Sequence, residues 1–146
     1  MIDKLQDKYR VFKRFFKNVY LWYPILISDE QWDNGYVYEA LNHKLKIMED
    51  FFRSDKTNTM HILKYADEIK EARTILERLL EDDYMCEDAH NYYANIDLSE
   101  MFSDEPMPED TKKDVMRWFK EEEESRDKDK KDLFELLYKK LDGWWD

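Results

Sequence analysis

The sequence predicts an all-α fold: a bundle of four or five helices closed by a long C-terminal helix. Three observations point there. Apolar residues recur every three or four positions through most of the chain, the helical period. Only two glycines, three prolines and four valines occur, which is poor material for a sheet of short strands and tight turns. Hydrophobic residues make up 42% and aromatics 16% of 146 residues, enough for one folded domain even with 40% charged residues.

The first helix is expected from about Asp3 to Trp22. Leu5, Tyr9, Phe12, Phe16, Val19 and Tyr23 fall on one stripe and are expected in the core. Pro24 is expected to end the helix, because the residue before a proline avoids the α region. The second helix has a complete start signal: Ser28 as N-cap, Gln31 completing a capping box, and Ile27 with Trp32 as a hydrophobic staple. It is expected to reach Phe52 with Val37, Leu41, Leu45, Met48 and Phe52 facing the core, and Asn34-Gly35 as its weak point. Thr57 to Thr59 offer caps for a third helix, whose buried face is Ile62, Ala66, Ile69, Leu76 and Leu80, with Arg73 out of character among them.

A short helix is expected around Glu87 to Tyr93, followed by an irregular loop through Pro106 and Pro108. The last helix should run from Glu109 or Asp110 to Leu141, with Gly143 as its C′ residue. Its middle, Glu121 to Asp132, contains nothing apolar. Yet Val115 and Leu133, Met116 and Phe134, and Phe119 and Leu137 are each five helical turns apart, so one straight helix is favoured over two.

The net charge of −11 is uneven. Residues 1–20 carry six Lys/Arg against two Asp, whereas residues 81–110 carry eleven Asp/Glu and no Lys/Arg. An acidic surface of this kind argues against direct nucleic-acid binding. Asp82, Asp83, Glu87 and Asp88 instead form a candidate surface for a basic partner protein, as a nucleic-acid mimic or adaptor. The bland alternative is solvation, with pairing to the basic side of the first helix. That helix could also lie on a membrane, but the reading adopted is core packing with no membrane partner.

Catalytic signatures are missing. No phosphate-binding glycine loop, G-x-S-x-G, H-E-x-x-H or C-x-x-C occurs. Cys86, Glu87 and His90 have helical metal-ligand spacing, and Glu87 to His90 reads E-x-x-H, but the second copy a di-iron bundle requires is absent. Neither enzyme activity, metal nor cofactor is therefore expected, and a metal-dependent enzyme is the last-ranked alternative. The lone Cys86 and the charges spaced through Met1 to Lys17 suit a cytoplasmic setting.

Two features suggest binding. Trp32, Tyr36, Glu39, His43, Lys46 and Asp50 are spaced 4-3-4-3-4, opposite the core stripe of the second helix. Trp32 or Tyr36 could stack on a base, His43 and Lys46 could converge on one group, and Arg14 and Lys17 could hold a phosphate. These six residues are the candidate site for an anionic, nucleotide-type small molecule between helices or at a subunit interface. Packing against another helix of the chain is the alternative. This stripe, with Trp144-Trp145, also exceeds what one small core covers, so a homo-oligomer is expected.

Trp22-Tyr23-Pro24-Ile25, Trp32-Asp33, Lys44-Leu45, Met48 and Phe51-Phe52 resemble a group of small uncharacterised tailed-bacteriophage proteins with a proline, Trp-Asp, K-L-x-x-M pattern. The likeness covers about half the chain. It implies a phage setting and a protein that occupies or sequesters a host component in the host cytosol, and it carries over no functional residues.

Overall fold

A computed structural model describes residues 2–27, 35–54, 60–97 and 107–144, with side chains from residue 6 in the first segment and from residue 62 in the third. Every regular element among these residues is helical. They are α1 (Ile2–Leu26), α2 (Gly35–Phe52), α3 (Met60–Glu81), α4 (Glu87–Asn95) and α5 (Glu109–Lys140), followed by a 3₁₀ turn, Asp142–Trp144. The expected caps at Ser28–Gln31 and Thr57–Thr59, the Trp32 staple contact, the loop through Pro106, and Trp145 lie outside the described residues.

The core forms where α2, α3 and α5 meet. Leu45, Met48 and Phe52 of α2, Ala66, Ile69, Ala72, Ile75, Leu76 and Leu79 of α3, Leu133 of α5 and Trp144 are all buried together. The α3 face agrees with its helical period. Val37 departs from the expected α2 stripe: it is exposed, because the core begins one turn later at the half-buried Leu41.

The last helix is unbroken over 32 residues. Its polar middle is held by charge rather than oil: Asp129 is 8% exposed and sits against Arg78 of α3. A second, smaller contact pairs α4 with the start of α5 through buried Ala89 and Val115 and the Tyr92–Trp118 ring contact, with centroids 5.5 Å apart. At the far end Gly143 does not take the left-handed C′ conformation expected of it. The chain instead tightens into the 3₁₀ turn, closed by Trp144 N–H on the Leu141 carbonyl at 3.4 Å, and this drives Trp144 into the core at 1% exposure. Trp144 Nε1 and Lys140 Nζ both donate to Glu68, at 3.0 and 2.8 Å, fastening α5 to α3.

Two expectations about α1 are overturned. Pro24 lies inside the helix, which continues to Leu26. In the final turn a proline removes one hydrogen bond, from the Tyr20 carbonyl, and Tyr20 is exposed to water that can replace it. The larger correction concerns the stripe. Tyr9, Phe12, Phe16, Val19 and Tyr23 are exposed, not core. Every side chain from Gln6 to Tyr20 is exposed.

Candidate functional site: the first helix and its joint

The sequence of α1 explains why it is both a helix and an unusual surface. From Lys8 to Ile27 there are five Lys/Arg and no Asp/Glu. At 100° per residue, Tyr9, Phe12, Phe16, Val19 and Tyr23 share one face, while Arg10, Arg14 and Lys17 cluster on another. The half-buried residues are Leu21, Trp22 and Ile25, which overlap the basic side, and of these Leu21 and Trp22 meet His43 of α2. That group lies roughly 150° around the helix from the centre of the aromatic stripe, so the stripe faces away from the α2 contact.

His43 makes the joint. Its Nε2 donates to the Leu21 carbonyl at 2.7 Å, which places the proton on that nitrogen, and its ring meets Trp22 edge-on with centroids 5.3 Å apart. Phe16 packs edge-to-face on Phe12 and on Phe15, with centroids 4.5 and 5.4 Å apart. Along its outer side, Phe16, Val19, Tyr20, Tyr23 and Pro24 border an open, mostly apolar depression of about 660 Å³.

Of the residues read as a small-molecule site, the structure brings His43 to α1 and half-buries Tyr36. Lys17 lies one helical turn before Leu21, near the joint, but Arg14, Lys17 and Lys46 are exposed. Trp32 is outside the described residues. The second α2 stripe is therefore divided: His43 packs inside the chain, while Lys46 and Asp50 face solvent.

The acidic residues are also placed. Asp82 accepts from Arg126 Nε at 2.7 Å, and Asp83 pairs with His90 at 3.0 Å. Glu87 and Asp88 occupy the first turn of α4, where the helix dipole favours them, and both are exposed. The ion pair described on α1, Arg10 with Asp7, is internal to that helix. Asp82 and Asp83 thus meet Arg126 and His90 rather than α1. His90 points to Asp83, and among the described residues no group of three or more His, Cys, Asp or Glu side chains is placed to hold a metal ion.

One site eluded the sequence reading: a buried ionic node. Asp129 accepts from Arg78 Nε and Nη2, both at 2.7 Å, and from the Tyr84 hydroxyl at 2.9 Å. The Arg78 hydrogen bonds hold the Asp129 carboxyl below its ordinary range, outweighing burial. Burial, then the hydrogen bond to Asp129, pushes the Tyr84 hydroxyl well above the ordinary range. The Arg126 guanidinium lies 5.7 Å from the Tyr84 ring centre and completes the node. A similar cluster joins α2 to α3, where Glu49 accepts from Arg53 and Arg73 at 2.8 and 2.7 Å. Arg73 also donates to Asn42 and Glu77, which explains an arginine on the α3 core face.

No protein-family model matches this chain, and no curated protein or solved structure matches it. No helix among the described residues is long and apolar enough to cross a membrane.

Proposed function

We propose that this chain is a non-enzymatic binding protein that works by covering a macromolecular surface, with α1 as its contact element. The exposed aromatic stripe on α1 carries this reading. Water-exposed apolar surface of that extent is costly in an isolated chain and is the usual mark of an interaction site. Its aromatic content fits an interface, since aromatic side chains supply most anchors there. Taken with the resemblance to tailed-phage proteins, the chain would occupy a host component in the host cytosol rather than transform a substrate. The test is apparent size in a bacterial lysate, comparing wild type with a Phe12→Glu/Phe16→Glu variant. The wild type should run in an assembly larger than a dimer of the 18.1 kDa chain, and the variant should not. Wild type no larger than that dimer would remove the reading.

A second reading, a small anionic ligand at the α1–α2 joint, draws support from His43. Its contact with Leu21 places the exposed Lys17 one turn away from the half-buried joint. Arg14, Lys46 and Tyr36 would complete that pocket. Calorimetric titration of cyclic nucleotides into wild type and a Tyr36→Ala/Lys46→Ala variant tests it. No heat with any nucleotide, or equal heat with both proteins, rejects it.

A further inference from the structure

Building on the contact role of α1, we infer that, until a host component displaces it, its occupant is a second copy of this chain, each copy laying α1 on the outward face of the other's α5. Area is the first argument. The outward-facing large apolar side chains on α1 are 41 to 81% exposed. At about 150–250 Å² per aromatic, six such rings offer roughly 600–1,000 Å². A specific interface takes about 800 Å² from each partner.

Charge selects the arrangement. Residues 1–20 contribute +4, so the remainder of the chain contributes −15 to the total of −11. Pairing α1 with α1 would oppose two positive helices, whereas α5, with ten Lys/Arg and eleven Asp/Glu, is close to neutral and sets no like charge against α1. The body has a face to receive it. Met116, Phe119, Phe134 and Tyr138 are 53 to 91% exposed and share one side of α5. They span about 33 Å of helix, against about 21 Å for the α1 stripe from Tyr9 to Tyr23. Between the apolar ends of that face stand the exposed Glu123 and Asp127, the latter paired with Lys130 of the same helix. An anionic bilayer would satisfy α1 alone and leave the α5 face in water. A reciprocal exchange covers both surfaces with one two-fold operation.

Sedimentation equilibrium of purified protein, with complementation, tests this. Wild type should be a dimer of the 18.1 kDa chain at micromolar concentration, weakening as salt rises. Phe12→Glu/Phe16→Glu, which spoils the arm, and Phe119→Glu/Phe134→Glu, which spoils the face, should each be monomeric with unchanged helix content by circular dichroism. Mixed in equal amounts they should form a one-to-one dimer, because one intact arm and one intact face remain. Three results would overturn the exchange. The first is a monomeric wild type. The second is a face variant that dimerises like wild type, which indicates α1–α1 pairing. The third is monomeric wild type that floats with phosphatidylcholine/phosphatidylserine vesicles when the arm variant does not. A purified monomer that still runs in a large lysate assembly would remove the exchange and leave the contact role of α1 standing. Wild type and arm variant behaving alike in both experiments would remove both.

Discussion

Arg78 closes two guanidinium N–H groups on the carboxylate of Asp129, 51 residues away, at 2.7 Å each. Asp129 is buried and Arg78 is half exposed, so the pair is asymmetric: the acid depends on the base more than the reverse. Asp129→Ala should cost about 2–3 kcal/mol, less than a fully buried pair because Arg78 can turn to water. Tyr84→Phe should cost about 1 kcal/mol, the worth of one hydrogen bond. Urea unfolding should show a lower midpoint at unchanged slope in both variants. A midpoint for Asp129→Ala equal to wild type would mean the node contributes nothing.

Acid should unfold the protein through three carboxyls. Arg78 holds Asp129 below its ordinary 3.8. Burial raises Glu49 and Glu68, but hydrogen bonds from Arg53 and Arg73 to the first, and from Lys140 and Trp144 to the second, leave both below 4.5. A carboxyl with a depressed folded value contributes stability that is complete above its unfolded value and lost as pH falls through the folded one. The urea midpoint should therefore hold from pH 7 to about 5 and fall steadily below about 4.5. Glu49→Gln with Asp129→Asn should start lower and fall less over that range.

Asp82 should be separable from its acidic neighbours. It has φ 50°, in the left-handed region where Asp and Asn are tolerated and most side chains are not. It also accepts from Arg126. Asp82→Ala should cost about 1–2 kcal/mol from the backbone conformation alone, and Asp82→Asn less. Asp83→Asn, Glu87→Gln and Asp88→Asn together should leave the thermal midpoint within a few degrees. If this acidic patch docks a basic protein, the triple variant should bind polylysine more weakly and with a shallower salt dependence. Unchanged polylysine binding would argue against an acidic docking surface.

His43→Ala should loosen α1 without loosening the bundle. Amide exchange should accelerate from about Leu21 toward the start of α1, while α3 amides around Ile69 and Leu76 keep their protection. Equal acceleration in both regions would show that the α1 joint is integral to the core.

Much of the bundle could be read from its sequence, because periodic apolar residues report a face that needs cover. The α3 face from Ala66 to Leu76 and the unbroken α5 follow from spacing alone. What periodicity cannot report is the identity of the cover. The stripe of Phe12, Phe16 and Val19 has the same helical signature as Leu45, Met48 and Phe52, yet only the second group is buried within the chain. The node at Asp129 was hidden for the opposite reason. In a run such as Glu121 to Asp132, a carboxylate that will be buried looks like those that stay in water until the arginine opposite it is known. The candidate site was legible only at His43, where an aromatic stripe was anticipated and its partner, the Leu21 carbonyl, was not.

Because the described contacts of α1 with α2 lie near its C-terminal end, where Leu21 and Trp22 meet His43, it has the mechanics of a lever. From Leu21 back to Ile2 the helix is about 29 Å long at 1.5 Å per residue. A 10° change of angle at the His43 pivot would carry the tip about 5 Å. Small adjustments of one imidazole contact thus become larger displacements toward the start of the helix. Docking must halt that swing, so rigidity at the pivot and affinity at the tip are coupled. A stiffer pivot would speed commitment to one docking geometry and narrow the range of surfaces the arm can meet.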